Sequence, residues 1–271
     1  MRSRGGPTLS SPTIPFHTKA AAPRPTEMGG VPRKVYQTWI THNLRPGMYK
    51  TCKHNHATNP EFDFYLFDNA ECRKYIETNF ESSVLKAYDT LIPGAYKADL
   101  WRLCVLYKEG GVYLDIKLKI TEPLLKFLTP AAASADPIFV KDNWQPVPGG
   151  IAPYQAVLAS PPAHPLFKQA IDTIVRNVES RYYGANQLDP TGPVMLARLI
   201  SEEKRDLFEY YVHFSPESFQ AYIYKNGTTT QPFMHQYDNY RLEQHQDMLM
   251  SGGGGGETYV QLWNRRAIYK A

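Results

Sequence analysis

The chain has 271 residues, 42% of them hydrophobic and 21% charged, and a formal net charge of +4. That length fits one large domain, or one domain with appendages, and the composition excludes wholesale disorder. No run approaches the ~20 apolar residues of a membrane helix, and so small a charge, with no basic stripe, argues against a nucleic-acid protein. Cys52, Cys72 and Cys104 are an odd number without metal-type spacing, which leaves a disulfide scaffold or zinc module unsupported.

Residues 1–30 carry Pro7, Pro12, Pro15, Pro23 and Pro25, four basic residues and the single acid Glu27, with no apolar run for a signal peptide. They read as a disordered tail, and 31–271 as a single domain. Lys34–Ile40 and Phe62–Phe67 read as strands. Asp68-Asn69 offers a helix cap before helical patterns through Phe80 and over Val84–Leu91. Pro93-Gly94 breaks that pattern. A further helix runs from Ala95 to Gly110-Gly111, and Val112–Leu118 is a strand. Ile138–Val140 and Glu209–Phe214 read as strands. His164–Arg181 and Thr191–Glu203 read as helices, the second capped by Thr191. Ser251–Gly256 reads as a flexible loop before a last structured piece, Tyr259–Tyr269. Strands alternating with helices predict an α/β domain with a mixed, mostly parallel central sheet, whose ligand gathers at the carboxyl ends of the strands.

The chemistry concentrates in Ala98-Asp99-Leu100-Trp101-Arg102 and Gly110-Gly111-Val112-Tyr113-Leu114-Asp115-Ile116-Lys117. Leu100, Leu103, Cys104 and Tyr107 form one apolar helix face. Asp99 and Arg102, three apart, are neighbours beside that face. In the strand, Val112, Leu114, Ile116 and Leu118 alternate with Tyr113, Asp115, Lys117 and Lys119. The pattern alone leaves two readings open: a solvated face with ordinary ion pairs, or a ligand site at the strand's end. His54-Asn55-His56 has no acid or cysteine to complete a metal set and reads as a surface loop. No Gly-x-Ser-x-Gly or Gly-x-Gly-x-x-Gly occurs, so hydrolase and dehydrogenase readings lack support.

Asp99-x-x-Arg102 followed by Gly110-Gly111-Val112-Tyr113-Leu114-Asp115 resembles the signature of the DXD-motif sugar transferases, which include initiation-specific α-1,6-mannosyltransferases and the glucosylating clostridial toxins. Pro32–Trp39, Asn59–Phe64, Ala159–Pro165 and Thr191-Gly192-Pro193 resemble further blocks of that family, in order. The resemblance implies a GT-A fold, a Rossmann-like domain for nucleotide-diphosphate sugars, and retaining transfer of a sugar to a glycan, protein or lipid hydroxyl. It implies Gln37, Thr38 and Trp39 near the base and Tyr113 lining the nucleotide pocket. Asp99 would hold sugar hydroxyls, Arg102 sugar or phosphate, and Asp115 ribose and metal, while Trp263 would belong to a C-terminal lid. It also implies Mn²⁺ or Mg²⁺ as cofactor.

The sequence departs from this pattern at the second acid of the motif, where Lys117 stands. An ammonium cannot ligate a cation and repels it, so metal dependence is not expected to follow the family, and Lys117 joins the candidate catalytic groups. Tyr36 stands where the family usually has histidine, and Tyr259, Val260 and Gln261 stand where it often has one just before the C-terminal aromatic. A catalytically silent sugar-nucleotide or glycan-binding protein is the alternative. Three unpaired thiols suit a reducing compartment, whereas the resemblance points to the secretory pathway. The sequence leaves compartment, oligomeric state, sugar and acceptor open.

Overall fold

The computed structural model describes residues 12–22, 30–129, 136–147, 150–228, 230–250 and 257–271. The first half runs β1 (His17–Thr18), β2 (Lys34–Thr38), α1 (Pro46–Thr58), β3 (Asp63–Phe67), α2 (Asn69–Asn79), α3 (Ser82–Thr90), α4 (Gly94–Glu109) and β4 (Gly111–Leu114). Next come β5 (Leu118–Ile120), α5 (Leu124–Phe127), β6 (Val140–Val147), β7 (Gly150–Pro153), β8 (Val157–Ser160) and α6 (Pro165–Glu179). The chain closes with α7 (Pro193–Ala197), α8 (Glu202–Asp206), β9 (Tyr210–Phe214), β10 (Ala221–Lys225), β11 (Met234–Gln236), α9 (Tyr240–Met250) and α10 (Tyr259–Asn264).

Two sheets form. The first has the order β1-β3-β2-β4-β8, parallel through β3, β2 and β4 and antiparallel at both edges. The second, β5-β11-β10-β9-β6-β7, is antiparallel except for the β6–β9 pair. Period-two alternation in the first sheet explains how the layers stack. Tyr36, Tyr113 and Leu158 face a core shared with Trp101, Leu103 and Ile171 of the helices. Their neighbours Val35, Val112, Leu114 and Val157 face Leu118, Val212 and Ile223 of the second sheet. The first sheet is thus the middle layer, buried on both sides, as parallel strands require.

Local chemistry sets the boundaries. Asp68 and Glu71 form a reciprocal capping box at the start of α2, with bonds of 2.8 and 2.9 Å. The α4–β4 turn depends on two glycines. Gly110 has φ +65°, and Gly111 has φ +93° with its Hα side against β2, where a Cβ would sit 2.6 Å from the Lys34 carbonyl oxygen.

Several expectations need correction. The disordered tail expected over 1–30 includes residues that belong to the fold: Ile14 is buried, its N–H donates to the His42 carbonyl, and β1 pairs with β3. The open edge of β3 offered backbone partners that composition could not disclose. Residues 1–11, 23–29 and the glycine run 251–256 lie outside the described residues. The strand expected over Val112–Leu118 is two strands in two sheets, divided by a turn in which the Leu118 N–H donates to the Asp115 carbonyl at 3.0 Å. The helix expected over Thr191–Glu203 is two short ones, α7 and α8, and Gly192 rather than Thr191 caps the first. His54-Asn55-His56 is part of α1, not a loop. Asn55 ties α1 to β5 through the Leu118 carbonyl and the Ile120 N–H, both at 2.9 Å. Burial, and then Lys53, lowers the His56 pKa to about 4.

Candidate functional site

The second and third turns of α4 and the chain directly after β4 bring four charges together. Arg102 Nη2 lies 3.4 Å from Asp99 Oδ1 and 3.8 Å from Asp115 Oδ1. Lys117 Nζ lies 2.9 Å from Asp115 Oδ2. On a straight strand, side chains two residues apart stand roughly 7 Å apart; the turn after Asp115 closes that gap. Side-chain exposure is 9% for Arg102, 13% for Asp99, 21% for Asp115 and 19% for Lys117. The sequence placed Asp99 and Arg102 beside the apolar face of the helix. In the structure α4 is buried on nearly every side from Leu100 to Leu106, so both point into the molecule.

Each group is held by more than its charge partner. Arg102 Nη1 donates to the Gln155 carbonyl at 2.6 Å, Nε donates to the Ala98 carbonyl at 3.2 Å, and the guanidinium lies 4.4 Å from the centre of the Tyr113 ring. Tyr113 donates its hydroxyl to Asp115 Oδ1 at 2.6 Å. The Asp115 N–H donates to the Ala156 carbonyl at 2.7 Å, which fixes the end of β4 against the loop before β8. Thr191 donates its hydroxyl to Asp99 Oδ2 at 2.8 Å. The Lys117 ammonium stands 5.5 Å from the Tyr154 ring centre.

The two carboxylates titrate in opposite directions. Burial raises the Asp99 pKa to about 6, against the pull of Arg102 and Thr191. Burial would raise Asp115 as well, but Lys117, Arg102 and the hydrogen bonds from Tyr113 and Lys117 outweigh it, so its pKa falls below the ordinary value. Burial disfavours charge on Lys117, yet Asp115, Tyr154 and Tyr240 hold its pKa well above normal. The cluster therefore carries two negative and two positive charges at neutral pH.

The other sequence candidates are placed as follows. Tyr113 joins the cluster. Trp39 follows β2 at its carboxyl end, donates its ring N–H to Asp247 at 2.9 Å, and stands 6.3 Å from the Tyr240 ring. Thr38 donates to the Phe67 carbonyl at 3.0 Å and contacts Cys72 Sγ at 3.2 Å. Gln37 is buried, accepts a weak contact from Cys52 Sγ at 3.9 Å, and keeps an unpartnered Nε2. Gln37 and Thr38 are thus committed to the interior around β2. Trp263 donates to the Tyr183 carbonyl at 2.7 Å and lies 5.7 Å from the Arg266 guanidinium. Its helix neighbour Tyr259 is the α10 residue within electrostatic reach of Asp99 and Lys117.

Sequence reasoning missed Tyr154, Thr191, Tyr240 and Tyr259 as members of this neighbourhood. The Thr191-Gly192-Pro193 block was the available signal for one of them. A cavity of about 630 Å³ lined in part by Asp136, His164, Lys204, Leu207 and Phe208 touches none of the four charged residues. Among the described residues, the group of three metal-capable side chains is His42, Asp68 and Glu71 at the start of α2, away from Asp99 and Asp115 in the chain.

With this geometry in view, the family model described as "Glycosyltransferase sugar-binding region containing DXD motif" matches residues 33–138. That span holds β2 through β4, Asp99, Arg102, Asp115 and Lys117. Residues 33–138 thus resemble the sugar-binding region of the DXD-motif sugar transferases. Inositol phosphoceramide mannosyltransferase 1 of Schizosaccharomyces pombe is 26% identical over 182 residues, which is 65% of this chain and 51% of that protein. An uncharacterized glycosyltransferase of Acanthamoeba polyphaga mimivirus is 32% identical over 104 residues, 36% of this chain and 40% of that one. The initiation-specific α-1,6-mannosyltransferase of Candida albicans is 28% identical over 104 residues, 36% of this chain and 27% of that one. This chain therefore spans about half the length of the inositol phosphoceramide mannosyltransferases it matches. A solved structure titled PaToxG glycosyltransferase aligns with a TM-score of 0.48 and 17% identity, over 64% of this chain and 70% of that one. Residues 33–138 hold the parallel strands β3, β2 and β4, and Trp39 and Asp115 directly follow β2 and β4. Among the described residues, no helix is long and apolar enough to cross a membrane.

Proposed function

We propose that this chain is a glycosyltransferase that moves a hexose from a nucleotide-diphosphate sugar to an acceptor hydroxyl with retention of configuration. The observation that carries the reading is the convergence of Asp99 and Asp115 on the Arg102 guanidinium at the carboxyl end of β4. Isolated surface pairs are worth at most about 1 kcal/mol and need no such enclosure.

Arg102 and Lys117 face the diphosphate. A single cation about 4 Å from a phosphate oxygen contributes roughly 4 kcal/mol at an effective dielectric near 20. Its weight grows as negative charge collects on the departing oxygen, which is the condition for accelerating the step. Asp99 accepts from sugar hydroxyls, Asp115 accepts from the ribose, and Tyr113 lines the nucleotide. Trp39 lies on the base side, supported from below by Gln37 and Thr38, and Trp263 anchors the closing C-terminal segment. The bond from the anomeric carbon to the phosphate oxygen breaks as the acceptor oxygen bonds on the same face. The acceptor's proton leaves on the diphosphate.

The names of the relatives make a nucleotide-diphosphate mannose the first donor to test, and an inositol phosphoceramide the first acceptor. Donor hydrolysis and transfer are measured for the parent and for Asp115→Ala. The expected loss in the variant is about 10²–10³-fold. Equal rates would remove Asp115 from the site. Donor binding by calorimetry without turnover would favour a silent sugar-nucleotide-binding protein instead.

A further inference from the structure

We propose that Lys117 supplies the positive charge that a divalent cation would bring, so that the donor diphosphate binds to Arg102 and Lys117 without metal. This rests on the transferase reading above and adds what holds the donor. The charge balance is direct. An aspartate plus a divalent ion carries +1, and so does a lysine. Replacing the second acid of the motif by Lys117 therefore leaves the site with the charge it would have had when loaded with metal.

The residues present do not fit a cation. Asp115, the acid that would lead such a site, has both oxygens engaged: Oδ1 takes the Tyr113 hydroxyl at 2.6 Å and Oδ2 takes the Lys117 ammonium at 2.9 Å. Arg102 already stands between the two acids, 3.4 Å from Asp99 and 3.8 Å from Asp115. Thr191 occupies the other oxygen of Asp99. A divalent ion entering here would meet two fixed positive groups and no free carboxylate oxygen pair.

Lys117 is also built in. The turn bond from Leu118 N–H to the Asp115 carbonyl and the bond from Tyr237 N–H to the Lys117 carbonyl, each 3.0 Å, pin its backbone on both sides. Tyr154 flanks the ammonium. A charge fixed in this way needs little reorganisation when the diphosphate arrives, which is the condition under which it stabilises a developing anion best.

The test is calorimetric titration of GDP and UDP, in chelator and in millimolar Mn²⁺, on the parent, Lys117→Met and Lys117→Asp, with thermal unfolding to confirm that each variant folds. The parent is expected to bind one nucleotide with an affinity that Mn²⁺ changes by less than about twofold, and Lys117→Met to lose about tenfold or more in either buffer. Lys117→Asp is expected to bind about tenfold or more tightly with Mn²⁺ than without it. Parent binding that requires Mn²⁺ overturns this inference and leaves the transferase reading standing. Unchanged affinity in a folded Lys117→Met also overturns it. No binding of either nucleotide by the parent in any buffer overturns both.

Discussion

The helix end and the strand end of the charged cluster make an instructive pair. Asp99 lies in the second turn of α4 and Asp115 directly follows β4, both are largely buried, and both face Arg102. Yet the pKa of Asp99 is raised to about 6 while that of Asp115 is lowered. The difference lies in the remaining partners. Asp115 has an ammonium at 2.9 Å and a phenol at 2.6 Å, whereas Asp99 has one neutral hydroxyl at 2.8 Å. Burial wins where the compensation is a single neutral donor and loses where a full charge stands in contact. The strand end is therefore electrostatically settled, and the helix end is held near its titration point.

The sharpest way to break this pairing is to remove its shared partner. Arg102→Ala leaves two buried carboxylates facing one another and frees two carbonyls, and is expected to cost about 3–5 kcal/mol in denaturant unfolding. Arg102→Lys should recover only part of this, because an ammonium cannot span both acids and the Gln155 carbonyl in the planar fork.

The two ends should also separate by pH. Because the folded state binds the Asp99 proton more tightly than the unfolded chain, Asp99 makes stability fall as pH rises from about 4 to about 6. Asp115 does the opposite: its contribution is present above about pH 4 and is lost as pH falls through its depressed pKa. Thermal melts across pH 3–7 on the parent, Asp99→Asn and Asp115→Asn check this. Only Asp99→Asn should remove the decline between about pH 4 and 6.

The smallest expected effect sharpens the comparison at the helix end alone. Thr191→Val deletes the hydroxyl that donates to Asp99 and should cost about 1–3 kcal/mol. It should also push the midpoint of the Asp99-dependent slope to higher pH, whereas Thr191→Ser should leave it in place.

How much of this was legible can be traced residue by residue. The pairing of Asp99 with Arg102 follows from helix spacing, and Asp68 as a cap and Gly110-Gly111 as a turn follow from the chemistry of capping and of positive φ. An ion pair between Asp115 and a lysine was one of the readings the pattern left open, but its contact with Lys117 at 2.9 Å was not legible, because alternation over Val112–Leu118 reads as one continuous strand. What interrupts it is the capture of Leu118–Ile120 by β11, more than a hundred residues downstream. Thr191 was visible as part of a motif, but its role was not: a threonine before Gly-Pro reads as a cap until the fold sets Asp99 beside it. Tyr154, Tyr240 and Tyr259 carried no local signal at all, since each reaches the cluster only through the packing of a separate element.

The sequence by itself determined the α/β class, the order of the elements around the charged block, the resemblance of the 33–138 region to the DXD-motif sugar transferases and the anomalous lysine. These depend on local periodicity, on glycine and proline geometry, and on residue identity, which are properties of the chain within a few turns. Tertiary structure alone decided which sheet each half of the broken strand joined, which donors each acid received, and therefore which of two chemically identical carboxylates gains a proton near pH 6. Long-range pairing and burial set local dielectric and partner count, and neither is encoded in any short window of residues.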